Sequence, residues 1–272
     1  MTSPAAPDIR LIACDMDGTL LDDQHAIHDE FWPLVDALHR RGIVFCPASG
    51  RQYHNLRDCF GPQAGEMAFI AENGCLVMHE GRELSSDCVP RELARAQVLR
   101  IRELQQAGAP VGVVLCGKGA ARIERTHPRF VEEVARYYLR LEIVDDLLAV
   151  EDDFLKIALH DSVSSEQGLL PAFEALRPDY QVVVSGQHWL DIMPPGANKG
   201  SGLRHLQQAL GVTREQTMVF GDFLNDLEMM DEALHSYAMA NAHPELKARA
   251  RHLAPANTEN GVVRTIRSVL GL

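Results

Sequence analysis

The sequence lacks the long apolar runs and the excess of basic residues that mark several classes of protein. No apolar run approaches the ~20 residues that a membrane-spanning helix needs, so we expect no membrane partner. The chain carries 26 basic residues against 38 acidic ones, which gives a formal charge of −12. Because nucleic-acid phosphates are bound by clustered Lys and Arg, this balance argues against nucleic acid as a partner.

Cysteine and histidine are present, but not in the spacings of disulfide frameworks or metal sites. No C-x-x-C pair occurs among the six cysteines. Cys14 and Cys46 fall inside apolar, strand-like runs, which favours buried reduced thiols. A solvated helix start explains His25 and His28, the closest pair of histidines. The N-terminal stretch MTSPAAPDIR has no basic segment followed by an apolar one, so we expect a cytoplasmic protein.

The first part of the chain alternates between strand-like and helix-like segments. Residues 9–14, 43–48 and 67–71 are short apolar runs, and each ends in small or polar residues. Phe31, Leu34 and Leu38 recur at helical spacing between the first two runs. This βαβαβ pattern predicts a doubly wound, Rossmann-like sheet.

The alternation of strand-like and helix-like segments changes after residue 74 and resumes near residue 200. A hairpin is predicted around residues 80–82, and a mixture of helices and antiparallel strands follows to about residue 187. We therefore predict an α/β protein with a mostly parallel core and one inserted α+β cap domain. The predicted ranges are 1–85 and 189–272 for the core and 86–188 for the insert.

Polar groups follow three of the predicted core strands at the point where each strand ends. They are Asp15-Met16-Asp17-Gly18-Thr19, Ser49-Gly50-Arg51 and Gly221-Asp222. Because ligands bind at the carboxyl ends of the strands in a doubly wound sheet, these groups should converge. Lys199 opens a helix after the insert and is expected at the same edge of the sheet.

The two aspartates at 15 and 17 indicate a divalent cation. Two carboxylates so close together in a partly dry cleft need a counter-charge, and Mg²⁺ prefers oxygen ligands. The predicted ligands are Asp15, the Asp17 carbonyl and Asp222, while Asp226 would hold these ligands or Lys199 in place. Each piece alone could be an ordinary turn or a helix cap, but the combination favours a phosphate site.

These residues resemble the haloacid-dehalogenase superfamily of phosphohydrolases, in particular its Cof-type branch with a C2B-type cap. The sequence Asp-x-Asp-Gly-Thr at 15–19 resembles the first motif of the family, Ser49-Gly50 the second, Lys199 the third, and Gly-Asp-x-x-Asn-Asp at 221–226 the fourth. The stretches at 71–74 and 238–242 agree as well. Within the branch, the chain is most similar to bacterial sugar phosphatases.

The resemblance implies a role for each matching residue. Asp15 would be the nucleophile that forms an aspartyl phosphate, and Asp17 the general acid and base. Phosphate contacts would come from the Met16 backbone, Ser49, Gly50, Lys199 and Asn225. The implied activity is Mg²⁺-dependent hydrolysis of small phosphorylated metabolites, in particular sugar phosphates, by a monomer or weak homodimer.

The sequence departs from the family pattern at one place and leaves specificity open. Phe223 and Leu224 are bulky where relatives often carry smaller residues. Loops of the insert are expected to set specificity. Three basic residues of the insert are further candidates for specificity: His127, Lys156 and His188. Ordinary surface or core roles explain them, so we do not assign them to the site.

Two other functions remain open at this point. A phosphotransferase or phosphomutase would use the same aspartyl phosphate and pass the phosphoryl group to a sugar instead of water. A non-catalytic phospho-acceptor resembling a signalling receiver would also place acids, Mg²⁺ and a lysine at one edge of a sheet. The inserted domain and Asp17 argue against the receiver, which needs neither.

Overall fold

The computed structural model describes residues 7–124 and 127–272. Residues 1–6 of the predicted core and residues 125–126 of the predicted insert lie outside the described residues. The chain divides into two compact units. The first unit contains residues 7–49, 60–85 and 198–272, and the second contains residues 50–59 and 86–197.

The strands and helices of the described residues are numbered in chain order. The strands are β1 (Leu11–Asp15), β2 (Val44–Ala48), β3 (Ala68–Ala71), β4 (Leu76–His79), β5 (Arg82–Ser86), β6 (Val111–Gly117), β7 (Ala121–Glu124), β8 (Leu141–Val144), β9 (Phe154–Asp161), β10 (Gln181–Gly186), β11 (Trp189–Met193), β12 (Thr217–Gly221), β13 (His235–Met239) and β14 (His252–Ala254). The α-helices are α1 (Phe31–Arg40), α2 (Tyr53–Asp58), α3 (Arg91–Gln106), α4 (Pro128–Ala135), α5 (Leu170–Phe173), α6 (Lys199–Leu210), α7 (Leu227–Asp231), α8 (Pro244–Arg249) and α9 (Gly261–Leu270). Within this described part, no helix combines the length and apolarity needed to cross a membrane.

The first unit is built on an eight-stranded sheet with the order β14-β13-β12-β1-β2-β3-β4-β5. Neighbouring strands from β14 to β3 run parallel, and β4 runs antiparallel to β3. The chain leaves β1 toward β2 on one side and returns to β12 on the other, so the strand order reverses at β1. Such a reversal is where doubly wound sheets bind ligands. The predicted fold class, an α/β protein with a mostly parallel core, is confirmed.

Helix α1 packs its apolar stripe against the sheet, as the sequence spacing predicts. Phe31, Leu34, Val35 and Leu38 are the buried residues of this helix. The ring of Phe31 meets that of Phe45 in β2 edge-on, with centroids 5.0 Å apart. This aromatic contact fixes the helix over the strand whose end carries Ser49.

The predicted hairpin after residue 74 is confirmed. Strands β4 and β5 are neighbours, and Glu80 and Gly81 between them have φ values of 49° and 73°. Positive φ at both central residues is the requirement of a type I′ turn, whose twist suits a two-residue hairpin.

The second unit has a six-stranded sheet of its own, with the order β10-β11-β9-β6-β7-β8. Its pairs are antiparallel except for β7 with β8. One face packs against α3 through Val98 and Ile101, and the other packs against α4 through Phe130 and Val134. Antiparallel strands with helices on their faces agree with the predicted α+β character of the insert.

Two strands of the second unit were not predicted. Strand β8 lies at the edge of the sheet, and its partly exposed residues give no alternating apolar pattern. Strand β11 pairs with β9 and β10, so the second unit continues past residue 188. The helix predicted near 166–177 is broken into a π-helical turn, the short α5 and a 3₁₀ turn.

Candidate active site

Three carboxylates meet at the end of the central strands of the first unit. Asp15 is the last residue of β1, Asp222 follows β12, and Asp226 lies in the turn before α7. One oxygen from each lies within 4.8 Å of the others. The register of the two parallel strands, with Cys14 opposite Phe220, sets Asp15 beside the residues that lead to Asp222.

The electrostatics of this carboxylate cluster favour a bound cation. Burial raises the pKa of Asp15 well above its ordinary value; the Lys199 ammonium opposes this effect, and Asp226 and Asp222 add to it. Burial also raises the pKa of Asp222. Three oxygen donors so close together are a suitable ligand set for a hard divalent cation, which would relieve their mutual repulsion.

Lys199 is fully buried and paired with two of the three carboxylates. Its Nζ atom donates to Asp15 Oδ1 at 2.5 Å and to Asp226 Oδ1 at 2.7 Å. Burial alone would lower the pKa of Lys199, but the two carboxylates raise it above its ordinary value. Lys199 therefore stays charged beside the nucleophile candidate Asp15.

The start of α6 explains why this lysine can reach the cluster. Asn198 caps the helix by accepting from the Ser201 backbone N–H at 2.8 Å. A Cβ atom on Gly200 would lie 2.6 Å from the backbone of Glu228, so only glycine permits this close approach of α6 to α7. The sequence Asn198-Lys199-Gly200 thus begins the helix and brings Lys199 to Asp226.

Asp226 organises the loop that carries Asp222. Its Oδ2 accepts from the backbone N–H groups of Asp222 at 3.0 Å and of Phe223 at 3.3 Å, while Oδ1 accepts from Lys199. Asp222 Oδ1 also accepts from the Thr19 hydroxyl at 3.0 Å. These contacts support the predicted role of Asp226 as the residue that holds Asp222 and Lys199 in place.

The two residues that follow Asp15 differ in their exposure to solvent. Met16 is fully buried, whereas the Asp17 side chain is 47% exposed and its Oδ1 lies 3.4 Å from His25 Nδ1. Gly18 has a φ of +80°, and a Cβ atom there would lie 2.4 Å from Asp222 Oδ2. A side chain at position 18 would therefore displace the Asp222 carboxylate. The Asp17 side chain does not belong to the carboxylate cluster.

Ser49 and Asn225 lie beside the stretch that follows β3. The backbone N–H of Ser49 donates to Ile70 O at 2.9 Å, and its carbonyl accepts from the Asn73 N–H at 3.0 Å. Asn225 Nδ2 donates to Asn73 Oδ1 at 3.3 Å. Asn73 therefore contacts both residues, and its φ of 55° shows the tight turn that makes this possible.

Two asparagines that the sequence did not indicate as site residues hold the Asp17 loop from the C-terminal part of the chain. Asn241 Nδ2 donates to Gly18 O at 2.8 Å, and Asn257 Nδ2 donates to Leu21 O at 2.9 Å. The two are joined by a hydrogen bond from Asn257 N to Asn241 Oδ1 at 3.1 Å. The family resemblance at 238–242 was the only signal for Asn241, and nothing in the sequence singled out Asn257.

The three basic residues of the insert have different environments. His127 caps α4 by accepting from the Arg129 N–H, and His188 Nδ1 lies 2.9 Å from Asp161 O. Lys156 is buried in β9, where its Nζ atom contacts Asp191 and Gly50 O. Lys156 therefore contacts Gly50, which is one of the predicted phosphate-binding residues.

The chain is similar to known proteins along nearly its whole length. The family described as haloacid dehalogenase-like hydrolase matches residues 12–266. The 5-amino-6-(5-phospho-D-ribitylamino)uracil phosphatase YbjI of Escherichia coli K12 is 36% identical over 265 residues, covering 96% of each chain. The HMP-PP phosphatase of Escherichia coli O6:H1 is 28% identical and covers 90% of this chain and 89% of its own. The solved structure of SMU.1108c from Streptococcus mutans UA159 has a TM-score of 0.86 at 28% identity, covering 97% of this chain and 100% of its own.

Proposed function

Because the chain belongs to the haloacid dehalogenase-like hydrolases and is a phosphatase of that family, we propose that it is Mg²⁺-dependent and works through an aspartyl phosphate on Asp15. The family match confirms the resemblance that the motifs indicated. The observation that carries the proposed mechanism is the position of Asp15, which contacts a buried, charged Lys199 and lies within a three-carboxylate cluster.

The chemistry divides into two displacements at phosphorus. The Asp15 carboxylate attacks the phosphoryl group, the bond to the ester oxygen breaks, and Asp17 gives its proton to the leaving alkoxide. Water then attacks the aspartyl phosphate, Asp17 takes a proton from that water, and Asp15 and inorganic phosphate are released. The exposed position of Asp17 leaves it open to a substrate in the first step and to water in the second.

The remaining residues of the proposed site would stabilise charge on the phosphate or orient it. Lys199 supplies a fixed positive charge beside the Asp15 carboxylate, and phosphoryl transfer depends mainly on such positioning and electrostatic stabilisation. Mg²⁺, held by Asp15, Asp222 and the Asp17 carbonyl, would neutralise charge on the phosphate oxygens. The Met16 backbone, Ser49, Gly50 and Asn225 would orient the phosphate.

We propose small phosphorylated metabolites as substrates, with sugar phosphates and related polyol phosphates as the first to test. The E. coli relative at 36% identity is named for a phosphorylated ribityl compound, and the second relative is named for HMP-PP. The first name describes a small phosphorylated molecule with a heterocycle, uracil, so the panel of substrates should include phosphate esters with and without one.

The experiment compares wild type with Asp15→Asn and Asp17→Asn on p-nitrophenyl phosphate and on a panel of sugar phosphates. Asp15→Asn should abolish measurable hydrolysis while the protein stays folded, because the amide is a poor nucleophile. Asp17→Asn should lose about 10²- to 10⁴-fold on sugar phosphates, the usual contribution of general acid–base help.

Asp23→Asn is the matched control, since Asp23 is an exposed acid of the same loop region. Its turnover should equal that of wild type. Release of inorganic phosphate that does not depend on an added sugar acceptor would support hydrolysis over phosphoryl transfer. Near-normal turnover by Asp15→Asn would refute the mechanism.

A further inference from the structure

Lys156 is a buried lysine of the second unit that the proposed mechanism does not use. It lies in β9, a strand in which every residue is buried, and Lys156 itself is 3% exposed. Its Nζ atom donates to Asp191 Oδ2 at 3.2 Å, and Asp191 is also 3% exposed. The register puts them on one face, because Asp191 lies opposite Ala158, two residues from Lys156.

A buried ion pair of this kind is a poor explanation of stability. Removing two charges from water costs several kcal/mol per ion, and a well-packed apolar pair is often as stable. A second contact made by Lys156 indicates what the charge is for. Its Nζ atom also donates to the backbone carbonyl of Gly50 at 3.0 Å.

The carbonyls of Ser49 and Gly50 are both fixed by hydrogen bonds. Ser49 O accepts from the Asn73 N–H at 3.0 Å, and Gly50 O accepts from Lys156. In a planar trans peptide the N–H points away from the carbonyl of the same unit. Fixing these two carbonyls therefore fixes the directions of the next two N–H groups, those of Gly50 and Arg51.

Gln52 provides a second point of attachment for the same segment. Its side-chain Nε2 donates to Arg140 O at 3.1 Å, and its Oε1 accepts from the Arg140 N–H at 2.9 Å. The side chain is thus hydrogen-bonded to one residue in both directions and is nearly buried. Residues 50–52 are held at two places within the second unit, directly after Ser49.

We propose that Lys156, neutralised by Asp191, is a positioning residue for phosphate binding that acts through the Gly50 carbonyl, with Gln52 as its second support. The inference rests on the proposed function, in which Ser49 and Gly50 contact the phosphate. Lys156 does not touch the substrate; together with the Asn73 N–H it fixes the peptide units on both sides of Gly50, the residue proposed to contact the phosphate.

The test replaces the ion pair by apolar residues of similar size, Lys156→Met with Asp191→Leu, so that no buried charge is left alone. Inhibition of p-nitrophenyl phosphate hydrolysis by inorganic phosphate is the main measurement, together with KM, kcat and the midpoint of thermal unfolding. The inhibition constant and KM should rise about tenfold, as expected from the loss of a charge-assisted hydrogen bond, whereas kcat should change less.

Arg122→Met with Asp152→Leu is the matched control. Arg122 lies in β7 of the same sheet and Asp152 lies just before β9, and their side chains are largely buried, with exposures of 15% and 13%. Arg122 lies opposite Leu115, whereas Lys156 lies opposite the next residue, Cys116, so the two basic side chains lie on opposite faces of the sheet. Phosphate inhibition of the control should match wild type even if its unfolding midpoint falls.

A third variant keeps the test decisive if the Lys156 double variant does not fold. Gln52→Leu leaves the ion pair intact, and the Arg140 carbonyl still accepts from the Ala121 N–H. Its inhibition constant for phosphate should rise in the same direction. Equal phosphate inhibition in wild type and in the folded variants would overturn the inference alone, whereas a wild type that hydrolyses no phosphate ester would overturn the proposed function.

Discussion

At the scale of single residues, Gly18 shows how backbone conformation and carboxylate position depend on each other. Its φ of +80° favours glycine, and the space where a Cβ would lie is taken by Asp222 Oδ2 at 2.4 Å. Gly42 has a similar φ of +69°, but nothing lies within 4 Å of its missing Cβ. Alanine substitutions at the two positions therefore separate the effect of backbone strain from the effect of displacing the Asp222 side chain.

Gly18→Ala and Gly42→Ala should each lose about 1–2 kcal/mol in the free energy of unfolding, because both force alanine into the left-handed region. Only Gly18→Ala should raise the Mg²⁺ concentration needed for half-maximal activity and lower kcat/KM, by at least about tenfold. Urea unfolding and a Mg²⁺ titration of turnover measure the two effects. Identical titrations for the two variants would show that Asp222 is not a ligand.

The sequence pattern predicted which side chains lie close together better than it predicted the hydrogen bonds of the surrounding loops. Asp15, Asp222, Asp226 and Lys199 are near one another because strand ends converge in a parallel sheet, which the sequence pattern reveals. The hydrogen bond from Asn257 to Leu21 depends on how two distant loops pack. No local pattern encodes such a contact.

At the scale of elements, strands too are predicted only where a local sequence pattern marks them. The fully buried β1 and β12 were predicted because continuous apolar runs mark central parallel strands. The edge strand β8 carries exposed residues such as Glu142 and Ile143, so its sequence does not differ from that of a loop. Pairing with β7 is what makes it a strand.

Strand β9 also carries a histidine that should make stability depend on pH. Burial lowers the pKa of His160, and nearby His188 adds to this effect, while Glu133 and Asp161 oppose it. The unfolded chain then binds more protons than the folded one between the lowered pKa and the ordinary value of about 6.5. The free energy of unfolding should therefore fall as the pH drops below that ordinary value.

His160→Gln should flatten this dependence, measured as the urea midpoint from about pH 7.5 to about pH 5. Part of the slope should remain, because burial also lowers the pKa of His54 and of His235. The exposed His28→Gln is the control and should keep the wild-type slope. A His160→Gln slope equal to that of the control would contradict the assignment.

At the scale of the whole molecule, the carboxylate cluster belongs to the first unit, and the segment directly after Ser49 belongs to the second. The sequence predicted an inserted domain at 86–188, because the alternation of strand-like and helix-like segments changes after residue 74 and resumes near residue 200. It gave no reason to place residues 50–59 with that domain, because the hydrogen bonds of Gln52 and Lys156 that attach them join positions about a hundred residues apart.

The central claim is that Asp15 is the residue that carries the phosphoryl group. Asp17→Asn allows this to be seen directly with p-nitrophenyl phosphate. The p-nitrophenolate leaving group needs no proton, so the first displacement proceeds, whereas the second lacks the base that activates water. The phosphorylated enzyme should accumulate.

Mass spectrometry of acid-quenched Asp17→Asn after mixing with p-nitrophenyl phosphate and Mg²⁺ is the most direct test. The account predicts one added phosphoryl group on the peptide that contains Asp15, and none when Asp15→Asn is combined with Asp17→Asn. An unmodified Asp15 peptide during continued release of p-nitrophenol, or a phosphoryl group on another residue, would contradict it.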